Sequence, residues 1–283
     1  MPAEDGQPQT VFHYTSASAF KAIVTYFQAW ASKIQHLDDE REYIEYIDAF
    51  ERISISRFRR SEHDESDFLD FVLETTGLLA RANIFVASFT ERGDLLSQWR
   101  GYCPAGGYSV GFNLEKLISA VEGQGLNICK AIYAAPDEEE IALFLENLFR
   151  DFLPLYRAGE SADQLDALRH TLETHIFREA PKYKHPGFIE ESEWRVYSKP
   201  LDRSDSRIDV VDIRGTLRPI LKFDLIGAET ITANDNSGKS IQNVYVSPGP
   251  DRELRREAAA MLLKHLDVNY TRVELSNVPY TPR

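Results

Sequence analysis

Cysteine is scarce in this chain: Cys103 and Cys129 are the two in 283 residues. No CxxC and no Cys/His cluster at metal-ligand spacing occurs, so neither a disulfide framework nor a structural zinc is expected, and no metal is assigned. Basic residues are also short: 32 Lys and Arg stand against 45 Asp and Glu, a net charge of −13. That balance argues against generic duplex DNA binding, which rests on cations neutralising phosphates. No run approaches the ~18 apolar residues of a membrane span, and MPAEDGQPQT lacks the basic and apolar regions of a leader. A cytoplasmic location without membrane contact is therefore expected. GxxxxGK[ST] and a GxGxxG following a strand are both missing, which excludes those two phosphate loops.

What remains is a chain with 43% hydrophobic and 27% charged residues, the balance of a globular protein. No linker or internal repeat divides it, so one α+β domain over 1–283 is expected. Period-two runs predict strands at Thr10–Tyr14, Trp30–Ile34, Asn83–Thr90, 107–112, Leu126–Tyr133, Glu193–Tyr197, Ile208–Ile213, Leu217–Phe223, Ile241–Val246 and near Val273. Helical spacing predicts a helix capped by Ser16, an acidic amphipathic helix from Asp38, one over about 67–82, and a short one capped by Asn113. Two more at about 137–155 and 162–177 form a helical insertion over about 136–180, and a last helix covers Arg252–Leu266. Strands cluster rather than alternate with helices, so a split, largely antiparallel mixed sheet with helices on its faces is expected.

Four segments are dense in polar and aromatic residues: FHYTS at 12–16, SFTERGDLLSQWRGY at 88–102, GGYSVGF at 106–112 and KHPGFIEESEWRVY at 184–197. His13 could hold a ligand hydroxyl or simply bond to backbone. Period-two alternation puts Glu191, Glu193, Arg195 and Tyr197 on one strand face, where two carboxylates and an arginine would perturb one another's ionisation or form a solvated surface. The segment 91–106 reads as a long glycine-containing loop offering Arg92, Ser97, Gln98, Arg100 and Tyr102 to a ligand. Arg100 could bind a phosphate or pair with Asp94. Magnesium at Glu191, Glu193 and Asp94, as in a nuclease, is a weaker alternative.

The ordered set FHYTS, SFTERGDLLSQWRGY, GGYSVGF, KHPGF with EESEWR, and SNVPY resembles a widespread bacterial family of uncharacterised domains. The order of a first-strand histidine, a later Ser/aromatic segment and a glutamate opening a still later strand is similar to the ADP-ribosyltransferase superfamily. That resemblance implies a split sheet holding NAD as substrate, and an NAD-dependent transferase or glycohydrolase of defence or toxin type acting on a protein acceptor or water. It implies Glu193, Glu191 and His13 as catalytic residues, with Glu193 stabilising the ribosyl cation. His13, Tyr14, Thr15, Ser97, Arg100 and Tyr102 or Tyr108 would contact the dinucleotide, and Arg92, Arg100 or Lys182 its pyrophosphate. The alternative class is a non-catalytic nucleotide-sensing or protein-interaction module using the same cleft, with the acidic helix at 38–54 as a contact face.

Overall fold

The computed structural model describes residues 9–37, 43–59, 63–158, 162–213, 215–225, 241–268 and 271–280. Among these, ten strands join one sheet. They are β1 (Thr10–Thr15), β2 (Gln28–Lys33), β3 (Phe85–Thr90), β4 (Tyr108–Asn113), β5 (Asn127–Lys130), β6 (Glu193–Tyr197), β7 (Ile208–Ile213), β8 (Thr216–Asp224), β9 (Ile241–Val246) and β10 (Arg272–Leu275). The helices are α1 (Ala17–Tyr26), α2 (Ile44–Phe58), α3 (His63–Leu79), α4 (Leu96–Tyr102), α5 (Leu114–Glu122), α6 (Glu138–Arg157), α7 (Ala162–Glu179) and α8 (Arg252–His265). The expected α+β class and largely antiparallel sheet are both present: of the paired strands, only β9 and β10 run parallel, joined through α8.

The caps follow the local chemistry. Ser16 accepts from the Ala19 amide at the start of α1, Asn113 from Lys116 at α5, and Asp137 from Glu139 and Glu140 at α6. Each satisfies amides that a helix start leaves without an internal partner. The α6–α7 insertion is present, and with α2 and α3 it buries a helical core containing Phe50, Phe68, Leu145 and Leu172. Val86 and Tyr197 join that core from the sheet. The opposite face packs Val11, Phe89, Trp194 and Val196 with α1, α5 and α8. The onset of the second helix at Asp38 lies outside the described residues.

One expectation needs correction. The stretch 91–106 is not one open loop, because α4 folds within it and drives Trp99 against Phe12, Tyr14 and Cys103. The expected amphipathic helix is present: α2 buries Tyr46, Ile47, Ala49, Phe50, Ile53 and Ser54 on one face. Its acidic side chains occupy the strip that packing leaves over.

The sheet is split at β3. One edge of β3 pairs with β6 throughout, from Val86↔Tyr197 to Thr90↔Glu193. The other edge is shared: β1 meets it only at Phe12↔Thr90, and β2 only at Ser32↔Val86 and Lys33↔Phe85. Ala87, Ser88 and Phe89 therefore have no strand partner on that side among the described residues. Such a gap leaves main-chain groups to be satisfied by something else.

Candidate functional site

His13 fills part of the gap. Its Nδ1 lies 2.9 Å from the Ser88 carbonyl, and a carbonyl can only accept, so Nδ1 carries the proton. Burial lowers the imidazole pKa despite the opposing effect of that hydrogen bond, so the ring is neutral near pH 7. Nε2 is then a bare acceptor, and no described residue bonds to it. The ring is half-buried, with Phe89 at 5.5 Å between centroids.

Glu193 sits elsewhere. Phe12 pairs with Thr90 and Thr90 with Glu193, so these three side chains share one face. His13, adjacent to Phe12, points to the other. The expected cleft containing both His13 and Glu193 is thus not formed, because alternation separates them across the sheet.

On its own face Glu193 closes a buried ionic network. Its Oε2 accepts from Lys184 Nζ at 2.8 Å and from Arg195 Nη2 at 3.0 Å. Lys184 also donates to Glu191 Oε2 at 2.7 Å, and Arg195 Nη1 to the carbonyls of Pro181 and Tyr183. The side chains of Glu193 and Arg195 are 2% and 1% exposed, against 19% for Glu191. Burial alone would raise the Glu193 pKa, but Arg195 and then Lys184 outweigh it and hold the carboxyl below its ordinary range. Around the network, the Tyr133 hydroxyl accepts from the Glu193 amide and Thr90 Oγ1 donates to the Glu191 carbonyl. Glu193 Oε1 is buried with no hydrogen-bond partner among the described residues.

Most other expected ligand contacts are engaged within the protein. The Tyr14 hydroxyl donates to the Arg92 carbonyl and accepts from the Leu95 amide, and its ring meets Trp99 edge-on at 4.6 Å. Thr15 is buried, its carbonyl accepting from Cys103 Sγ. Ser97 donates to Glu190. Arg100 lies over the Tyr280 ring at 5.0 Å, and Tyr102 is 41% exposed on the outer side of α4. Tyr108 is core, stacked on Phe20 at 4.3 Å. Lys182 pairs with Glu179 rather than standing as a free cation. Asp94 accepts from Trp99 Nε1, Ser276 Oγ and the Asn277 amide, which ties SNVPY to α4. Among the described residues no group of three or more His, Cys, Asp or Glu could hold a metal, so Asp94 does not join the glutamates around magnesium.

Lys184, which organises the carboxylates, escaped sequence reasoning although it opens the KHPGF segment. Nothing in its spacing reveals that a short turn at Pro186–Glu191 folds it back beneath the strand.

The model of a family described as proteins of unknown function (DUF2971) matches residues 98–196, from within α4 to the penultimate residue of β6. The chain is thus similar, over this stretch, to an uncharacterised-domain family. No curated protein and no solved structure matches it. No helix among the described residues is long and apolar enough to cross a membrane.

Proposed function

We propose that the chain is a non-catalytic nucleotide-sensing module that takes its ligand in the split between β1 and β2. The observation that carries this reading is the unpaired edge of β3 at Ala87–Phe89, with His13 held in it by the Ser88 carbonyl and Nε2 left as an acceptor. A fixed neutral imidazole of this kind suits a ribose hydroxyl, since it accepts without competing for the proton. The glutamates do not enter the sensing site. They lie on the opposite face, already neutralised by Lys184 and Arg195.

Titrating the protein calorimetrically with NAD and with ADP-ribose tests this reading. Saturable binding of at least one is expected, weakened about 10-fold or more by His13→Ala, the loss of one buried hydrogen bond. No heat from either nucleotide, or affinity unchanged in a folded His13→Ala protein, would overturn it.

An NAD-consuming transferase or glycohydrolase is the second reading, and one observation favours it. Glu193 Oε1 has no donor among the described residues, and a ribose 2′-hydroxyl would supply one beside an ionised carboxylate able to stabilise developing ribosyl cation. It ranks second because that oxygen is enclosed and lies across the sheet from His13.

A further inference from the structure

The strand β2 has an unusual distribution of side chains. Its alternation turns Ala29 and Ala31 into the core, while Gln28, Trp30 and Ser32 point to the other side. Trp30 is left 41% exposed, and Tyr26, at the last position of α1, is 70% exposed. These two rings, with Ala22, Gln28 and Lys222, line a surface groove of about 280 Å³. The groove adjoins the same strand that leaves β3 to open the split. Its polar groups are already oriented: Gln28 Nε2 donates to Asp224 Oδ1 at 2.9 Å, and Lys222 Nζ reaches Asp209 at 2.6 Å.

We infer that this groove is a stacking platform for a planar heteroaromatic ring, the base of a nucleoside or nucleotide. Two exposed aromatic faces supply the stacking surface, which is indifferent to base identity because every base has a π-face. The Gln28 amide, fixed through one donor to Asp224, keeps its carbonyl for the edge of the ring. Asp209 and Asp224 set the orientation. With Lys222 already neutralised, a phosphate here would meet net negative charge, so the base enters and the phosphates point away. The volume suits a base and its sugar rather than a whole dinucleotide. This inference rests on the nucleotide-sensing reading for its biological sense, but its physical test is separate.

Intrinsic fluorescence provides that test, because the other two tryptophans, Trp99 and Trp194, are 1% and 5% exposed. A ring stacking in the groove should quench Trp30 selectively. Titration with adenosine, NAD and ribose 5-phosphate is expected to quench with the first two and not the third, and Trp30→Phe should abolish the signal. Because Ser32 pairs with Val86, Trp30 stands on the Val86 face, across the sheet from His13, so the groove is tested separately from the split. Trp30→Ala should weaken adenosine binding in calorimetry about 10-fold. If NAD binds calorimetrically but neither it nor adenosine quenches, the groove inference is overturned while the sensing reading stands. If adenosine quenches but neither NAD nor ADP-ribose binds, the groove stands and the sensing reading falls. No quenching and no binding overturns both.

Discussion

Replacing Glu193 by glutamine removes one negative charge from the buried network while keeping the side chain's shape. Lys184 remains compensated, because Glu191 Oε2 lies 2.7 Å from its ammonium. Arg195, 1% exposed, loses the carboxylate that lies 3.0 Å from its Nη2 and keeps the carbonyls of Pro181 and Tyr183 at Nη1. Breaking a buried ion pair by removing one partner costs about 3–5 kcal/mol. For a chain of this size that corresponds to a fall of roughly 6–20 °C in Tm. Glu191→Gln should be much milder, about 1 kcal/mol, because Lys184 keeps Glu193 and Glu191 is partly solvated. Urea unfolding at pH 7 measures both, with the slope of the transition compared to confirm that the unfolded state is unchanged. The pH dependence gives a second check. The folded Glu193 pKa lies below its unfolded value of 4.5, so its contribution is complete above pH 4.5 and disappears as pH falls through the folded pKa. Wild type and Glu193→Gln should therefore converge in acid. A Glu193→Gln loss under about 1 kcal/mol, or one equal to that of Glu191→Gln, would refute the network as described.

Three further predictions follow from other parts of the molecule. His175 donates to or accepts from Tyr46 Oη at 2.8 Å, and burial lowers its pKa from 6.5 to about 4. Its folded form stays neutral while the unfolded form protonates, so stability should fall between pH 6.5 and about 4, by roughly 3 kcal/mol, and His175→Phe should flatten that part of the profile. A Cβ on Gly107 would collide with the Thr15 carbonyl oxygen and lie 2.8 Å from Cys103 Sγ. Gly107→Ala should cost about 1–3 kcal/mol in denaturant unfolding; a neutral result would show that β1 and β4 can separate there. Arg100→Ala removes an exposed contact with Tyr280 and should change stability by less than about 0.5 kcal/mol and leave NAD affinity unaltered; a large loss of affinity would return the α4 segment to the ligand site.

Much of the fold was legible from apolar runs and periods. The apolar run ending in Phe85–Thr90 and the alternating sequence Glu193–Tyr197 are both strands, buried on both faces. The insertion declared itself through Asp137 and the spacing of Leu145, Leu148, Phe149 and Phe152. The segment around Trp99 did not, because its glycines masked a two-turn helix whose stability comes from Trp99 packing beneath Tyr14 and bonding to Asp94. Period two also gave Glu193 and Arg195 a common face, and they share it. It could not say how β1 and β6 stand relative to β3, and that register decides whether His13 and Glu193 meet. The groove at Trp30 was not legible: the sequence offered only a strand beginning there, and Tyr26 and Lys222 come from elements that the tertiary fold brings beside it.

The proposed binding of a nucleotide in the sheet split, without its consumption, is tested by incubating the purified protein with NAD and following free nicotinamide by chromatography, alongside calorimetric binding under the same conditions. Saturable binding with no nicotinamide above the rate of buffer alone is the predicted result. Steady release of nicotinamide that falls by about 100-fold in Glu193→Gln would contradict it and place the chemistry on the glutamate face.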